Sequence, residues 1–340
     1  MRFGFMEDFR NPVKWRRPFP AFYEQILKQI KRGEELGYDN IWLTEHHFTD
    51  DGYNPSLMTT AAAVAMRTQT IRIGTFIIIL PYQHPLLMAE EVANVDILSN
   101  GRFDLGVGQG YSHYEFDALC MNRSERGMRT RESIRIIERL FLEDTVTVDG
   151  KFTKLKAARL SPKPVQTPRP PIWIGARGPK AITRAAEMGY HLMATLGPDP
   201  APLYLETLAK SGYDPKAFNI AQLRMVYCAA SEDQAWDESQ DHLWHMLEFY
   251  ADILAEANDA EGDDKPLPVT KPSDMRHSVL AEHFMIGTPE QVMAKMEKFV
   301  SEYRCTDFIM NSQFPGIDPA KATRSMELFA QEVMPKFRSA

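Results

Sequence analysis

Cysteine is scarce: Cys120, Cys228 and Cys305 are the only three among 340 residues, far apart and odd in number. That pattern excludes a disulfide framework and offers no metal spacing, so the three read as reduced thiols of a cytoplasmic protein. No apolar run approaches the roughly 20 residues of a membrane-spanning helix. The opening MRFGFMEDFR lacks the basic-then-apolar order of a secretory leader. Positive charge is also in deficit, with 39 Lys and Arg against 46 Asp and Glu and a net charge of −7. Nucleic acid and anionic membrane surfaces are therefore excluded as the main partner, and a small-molecule substrate fits better. Low-complexity tracts and short solenoid repeats are missing too.

What is present is enough apolar material, 44% of the chain, to close a sizeable core without disulfides or metals. Short apolar strands alternate with glycine- or proline-marked turns and amphipathic helices, the pattern of parallel βα units. Strands are predicted at Arg2 to Met6, Asn40 to Thr44, Ile71 to Leu80, Arg102 to Gly106, Ile172 to Gly175, His191 to Thr195, Gln222 to Ala229 and Thr306 to Met310. Eight such units define an α/β fold, a (β/α)8 TIM barrel occupying residues 1–340 as a single domain. Two insertions interrupt it. Thr145 to Leu160 alternates around Asp149-Gly150 and predicts a hairpin near 145–160, while Glu256 to Arg276 lacks periodicity and predicts a mobile segment near 256–276.

A barrel of this type carries its chemistry at the C-terminal ends of its strands. Glu45-His46-His47 follows the second strand directly, where a histidine pair is a structural pair or a solvated loop about as often as a catalytic one. No third ligand stands at metal spacing, which lowers a zinc reading. The turn GVGQG, Gly106 to Gly110, lets backbone approach a flat or anionic ligand closely, but it lacks the spacing of the dinucleotide fingerprint. GARGPKA, Gly175 to Ala181, puts flexible backbone and a helix N-terminus after the fifth strand, an arrangement that serves a phosphate or simply a tight turn. Arg129 and Arg131 either reach the same anion or pair along a solvated helix. Phe76, Ile77 and Ile78 supply bulk.

Three ordered blocks, GYDNIWLTEHHFTDDGYNPS, IRIGTFIIILPYQHPLLMAEEVANVDILSNGRFDLGVGQG and PPIWIGARGPKAITRAAEMGY, resemble the bacterial-luciferase-like flavin-dependent monooxygenases. The resemblance implies a barrel that uses reduced FMN and O2, through a flavin hydroperoxide, to oxygenate a small, apolar organic substrate. It also implies a separate flavin reductase and a homodimer. His46 matches the catalytic histidine of that family, and Glu115 falls where luciferases have an acidic residue near the site. Phe76-Ile77 matches the place of a non-prolyl cis peptide against the flavin. Gln109, Arg131 and the turn Ala176, Arg177, Gly178 match phosphate and flavin contacts. Two departures stand out: Gln109 replaces a common arginine, and Arg177 replaces an acidic residue of the luciferases. Gly108 stands where luciferases have a reactive cysteine, so light emission is not implied. Two rivals follow from the same barrel superfamily, a deazaflavin-dependent hydride-transfer oxidoreductase and a non-catalytic flavin-binding barrel.

Overall fold

Eight short parallel strands curl into a closed barrel in the computed structural model, which describes residues 1–195, 197–256 and 271–338. They are β1 (Arg2–Glu7), β2 (Asn40–Leu43), β3 (Arg72–Thr75), β4 (Phe103–Gly108), β5 (Ile172–Gly175), β6 (His191–Ala194), β7 (Ile220–Cys228) and β8 (Asp307–Asn311). Each pairs with the next, and β8 lies between β7 and β1, with Asp307 opposite both Arg2 and Ala221. All eight predicted strands are therefore present. Their residues are nearly all buried because one side faces the barrel interior and the other faces helices, which is why they read as continuous apolar runs.

The interior is filled by Met6, Trp42, Trp173, Met193, Leu223 and Ile309. Trp42 and Trp173 meet edge to face at 5.3 Å. Gly74 makes room for them, since a Cβ there would lie 2.1 Å from the Trp42 ring. At the N-terminal end of the barrel, paired charges close the structure: Arg2 grips Asp307 with two contacts of 2.8 Å, and Arg72 Nε lies 2.7 Å from Asp104.

Proline placement sets several helix starts. Pro85, Pro179, Pro289 and Pro319 each occupy a first helical position, where a missing N–H costs nothing. The helix Pro85–Leu98 leaves Leu87 57% and Leu98 46% exposed, beside the exposed Glu91 and Asn94. No described helix is long and apolar enough to cross a membrane.

The hairpin forms as expected, Val146–Asp149 antiparallel to Lys154–Ala158. Glu132 of the helix Arg126–Leu142 anchors it by accepting the backbone N–H groups of Lys151, Phe152 and Thr153 at 2.7–3.0 Å. Elsewhere the structure differs from the sequence reading. The third strand does not run unbroken to Leu80: it ends at Thr75, the Phe76-Ile77 peptide is cis, and pairing resumes at Ile78–Ile79 beside Val107 and Gly108. An additional strand, Met285–Gly287, extends the end of β7. Of the segment expected to be mobile, residues 257–270 lie outside the described residues. Its final part is ordered, with Pro272–His277 forming a 3₁₀ turn that buries Met275.

Candidate active site

At the C-terminal mouth of the barrel, one short helix decides the geometry. His113–Ala118 lies in a stretch that reads as polar loop, and it carries Glu115 under the loop after β2. Glu115 is fully buried and His46 is 5% exposed. His46 donates its Nδ1 proton to Glu115 Oε1 at 2.8 Å, and the same oxygen accepts the His47 backbone N–H at 2.9 Å. Tyr82 donates to Oε2 at 3.1 Å. With Nδ1 thus anchored, His46 presents Nε2 to the mouth, where Tyr111 Oη lies 3.1 Å away.

Aromatic rings surround this imidazole: Tyr53, Tyr111, Phe249 and Tyr250 have centroids 4.9–6.1 Å from it, all edge-on. A hydroxyl chain runs beside it, from Thr44 to Tyr53 at 3.2 Å and from Tyr53 to Tyr250 at 2.8 Å. Behind the rings, Arg10 is buried, bonded to Asp51 at 2.6 Å and stacked 4.1 Å over Phe249. Phe249 and Tyr250 come from the long helix Glu232–Glu256, so one side of the mouth is contributed by the seventh βα unit.

Burial perturbs the titration of this end. It works to raise Glu115, but the hydrogen bonds and charge of His46, with the His47 N–H and the Tyr82 hydroxyl, outweigh it and hold Glu115 below the usual carboxylate range. Glu45 has far less support. Burial pushes it up to about 8, the single N–H of Ile79 at 2.6 Å opposing and the charge of Glu115 adding to the rise. Burial likewise pushes Asp8 up to about 6 against the pull of Arg10, and raises Glu7. His47 is lowered by burial.

Next to the histidine is a ledge. The Ile77 side chain covers Gly108 and Gly175: a Cβ on Gly108 would sit 1.8 Å from Ile77 Cδ1, and one on Gly175 would sit 2.9 Å from Ile77 Cγ2. Phe76 and Ile77 remain partly exposed, while Gly108 and Ala176 are buried below them. Gln109 continues the ledge toward a positively charged corner. A Cβ on Gly127 would lie 3.2 Å from Gln109 Oε1 and 3.6 Å from Arg184 Nη1, so the bare Gly127 backbone keeps that amide and guanidinium side by side. Gly178, with φ of 76°, opens the helix Pro179–Glu187 that carries Arg184. Arg177 is exposed, yet close enough to the half-buried Tyr111 to oppose the rise of its pKa. A flat apolar ledge ending in an amide, a guanidinium and a helix N-terminus fits a planar ring system bearing a phosphate.

His46, Glu115, Phe76, Ile77, Gly108, Gln109, Ala176, Arg177 and Gly178 thus all belong to the mouth or its rim. Arg131 does not join them: it is exposed and lines a groove against the hairpin, and Arg129 turns to Glu125 and Phe152. What separates Arg131 is distance along the axis: it follows Gly127 by one turn, about 6 Å on and about 40° further round, which carries it to the hairpin groove together with Arg135. Sequence reasoning also passed over Tyr82, Tyr111 and Arg184, and noted Glu45 only within the Glu45-His46-His47 block. Position immediately after a strand is a signal available for Glu45, and the GVGQGY turn is one for Tyr111; for Arg184 there is none.

The sequence profile of the luciferase-like monooxygenases matches residues 1–303. The oxygenase component of a flavin-dependent trigonelline monooxygenase from Acinetobacter baylyi is 27% identical, the alignment covering 93% of this chain and 90% of that one. An F420-dependent glucose-6-phosphate dehydrogenase from Amycolatopsis mediterranei is 26% identical over 92% of this chain and 94% of its own. Among solved structures, a monooxygenase from Streptomyces bottropensis shares the fold with a TM-score of 0.86, at 24% identity, covering 99% of this chain and 100% of that one. Similar proteins therefore include both flavin-dependent monooxygenases and F420-dependent oxidoreductases. On a match spanning nearly the whole barrel, the chain belongs to the luciferase-like monooxygenase family.

Proposed function

We propose that the chain is the oxygenase component of a two-component monooxygenase, acting in the cytoplasm on a small, apolar organic substrate with reduced FMN obtained from a separate reductase. The observation that carries this reading is the imidazole of His46, tied by Nδ1 to the ionised Glu115 and turned with Nε2 toward an aromatic mouth. Reduced FMN, when bound, supplies the two electrons that let one oxygen atom of O2 enter the substrate while the other leaves as water. The Phe76-Ile77 ledge over Gly108 and Gly175 would hold the ring system. Gln109, Arg184, Arg177 and the Ala176 to Gly178 turn would hold the phosphate, a role that passes here from Arg131 to Arg184. His46 Nε2 gives or takes a proton at the reacting face, and Glu115 stabilises the imidazolium that results. Tyr53, Tyr111, Phe249 and Tyr250 exclude water and offer an apolar surface to the substrate.

The similarity to F420-dependent enzymes supports a second reading, hydride transfer with a deazaflavin in the same groove. Anaerobic titration with reduced FMN and, separately, with the reduced deazaflavin decides between them: micromolar or tighter binding of FMN alone is expected. In the same preparation His46→Ala should lower turnover by about 100-fold with FMN affinity nearly unchanged. Wild-type turnover in that variant would remove His46 from the chemistry. The exposed Leu87, Ile97 and Leu98 of the helix Pro85–Leu98 support the homodimer, and a monomer in sedimentation equilibrium would refute it.

A further inference from the structure

The stretch from Arg126 to Lys163 holds ten Lys and Arg against five Asp and Glu, a local charge of +5 in a chain of −7. This excess is organised. Arg131, Arg135 and Arg139 recur every four residues along one side of the helix Arg126–Leu142, and the hairpin lies across them. Between helix and hairpin runs a groove of about 540 Å³ whose rim includes these three arginines and Lys151, and whose floor includes Met128, Ile136, Val148 and Phe152.

The one acidic residue in that lining, Glu132, binds the hairpin backbone and is outnumbered by the three arginines and Lys151 of the rim. Arg139 is engaged by Glu143 at 2.6 Å, and Lys151 lies 3.3 Å from Glu125. Arg131 and Arg135 are exposed and have no ion pair or hydrogen bond among the described residues. Two unengaged guanidiniums above an apolar floor are matched by carboxylates flanking an apolar side chain. The cationic row spans eight residue steps of helix, about 12 Å. That is short for a polynucleotide backbone but well sized for one turn or loop of a protein.

We propose that this groove is the docking site for an acidic protein partner, and, resting on the two-component reading above, that the partner is the protein that supplies reduced flavin. The placement favours this. Gly127, in the first turn of the same helix, borders Gln109 and Arg184, so Arg131 stands one turn away from the phosphate side of the mouth. A partner seated in the groove delivers its cargo next to the ledge, and the positive face steers it there.

The test uses two synthetic peptides of equal negative charge, one with a central Leu-Phe pair and one with Ser-Ser in its place, and a single-stranded oligodeoxynucleotide. Binding is read by fluorescence anisotropy on the full chain at low salt. The Leu-Phe peptide should bind about tenfold tighter than the Ser-Ser peptide and the oligonucleotide, and Arg131→Glu with Arg135→Glu should weaken it by about tenfold. Equal binding of the two peptides, preference for the oligonucleotide, or an unaffected double variant overturns the proposal. Arg135 is exposed and two turns beyond Gly127, so Arg135→Glu alone should weaken the Leu-Phe peptide and keep wild-type FMN affinity. If the wild-type chain itself fails to bind reduced FMN, the two-component reading falls, while the peptide result still decides whether the groove takes an acidic, apolar-centred segment.

Discussion

The two ends of the barrel bury carboxylates in opposite ways. At the N-terminal end Asp307 has two contacts from Arg2, one from Asn40 at 3.3 Å and one from Thr306 at 2.6 Å, while Asp104 has Arg72 and the Trp173 indole. Burial still raises Asp307, but Arg2 opposes it directly. At the mouth, Glu45 is buried on a single backbone N–H, Glu7 Oε2 and Arg10 Nη1 have no hydrogen-bond partner among the described residues, and Asp8 is held near 6. Glu115 is the exception, fully supported and ionised, and it is the one that touches His46. One end spends its charges on closure and rigidity. The other leaves them perturbed where ligands arrive, the division that barrel enzymes share.

Three substitutions probe that contrast. The largest effect is expected from Glu115→Gln, which keeps shape but removes the charge that orients His46: turnover should fall by about 100-fold while the melting temperature moves only a few degrees. A variant that mainly unfolds would place Glu115 with the structural carboxylates instead. Next comes Asp307→Asn at the opposite end, which loses the paired contact to the half-exposed Arg2. Chemical denaturation should show a loss of about 1–2 kcal/mol, with FMN affinity unchanged. The smallest effect lies in the pH dependence of Glu45→Gln. In the wild type Glu45 holds its proton more tightly when folded, near 8, than at its ordinary 4.5. Its contribution to stability is therefore greatest at acidic pH and declines as pH rises between those two values. The glutamine variant should lose Glu45's share of that decline, on the order of 1–2 kcal/mol between pH 6 and pH 8, and retain the shares of Asp8 and Glu7. Identical pH–stability curves for both proteins would mean that Glu45 is not perturbed.

The barrel was legible because parallel strands buried on both sides announce themselves as apolar runs between glycines and prolines; IWIG, after Pro170-Pro171, is of this kind. Elements lacking such a run were not. His113–Ala118 is one and a half turns with no periodicity, and Met285–Gly287 is a strand of three residues, so neither leaves a pattern long enough to read. In the site, His46 was found from its position after β2, and Glu115 and the ledge through family resemblance. At the corner with Gln109 stands Arg184, which the sequence reading did not name, while Arg131 lies one turn further along its helix. Bringing Arg184 there takes the packing of one helix against another, and spacing along the chain does not contain it. Tyr82, likewise, reaches Glu115 only because the chain turns at Leu80–Tyr82.

Closure through β8 also orders events in time. β1 occupies residues 2–7, but its partner on one side begins at Asp307, and the clasp between Arg2 and Asp307 joins positions 305 residues apart. During synthesis the first strand can pair with β2 early, whereas its other edge stays open until nearly the whole chain has left the ribosome. An open parallel edge of apolar residues invites pairing with other chains. The nascent barrel is thus most vulnerable to aggregation just before its last strand arrives, and truncation ahead of Asp307 would leave a cylinder split along one seam.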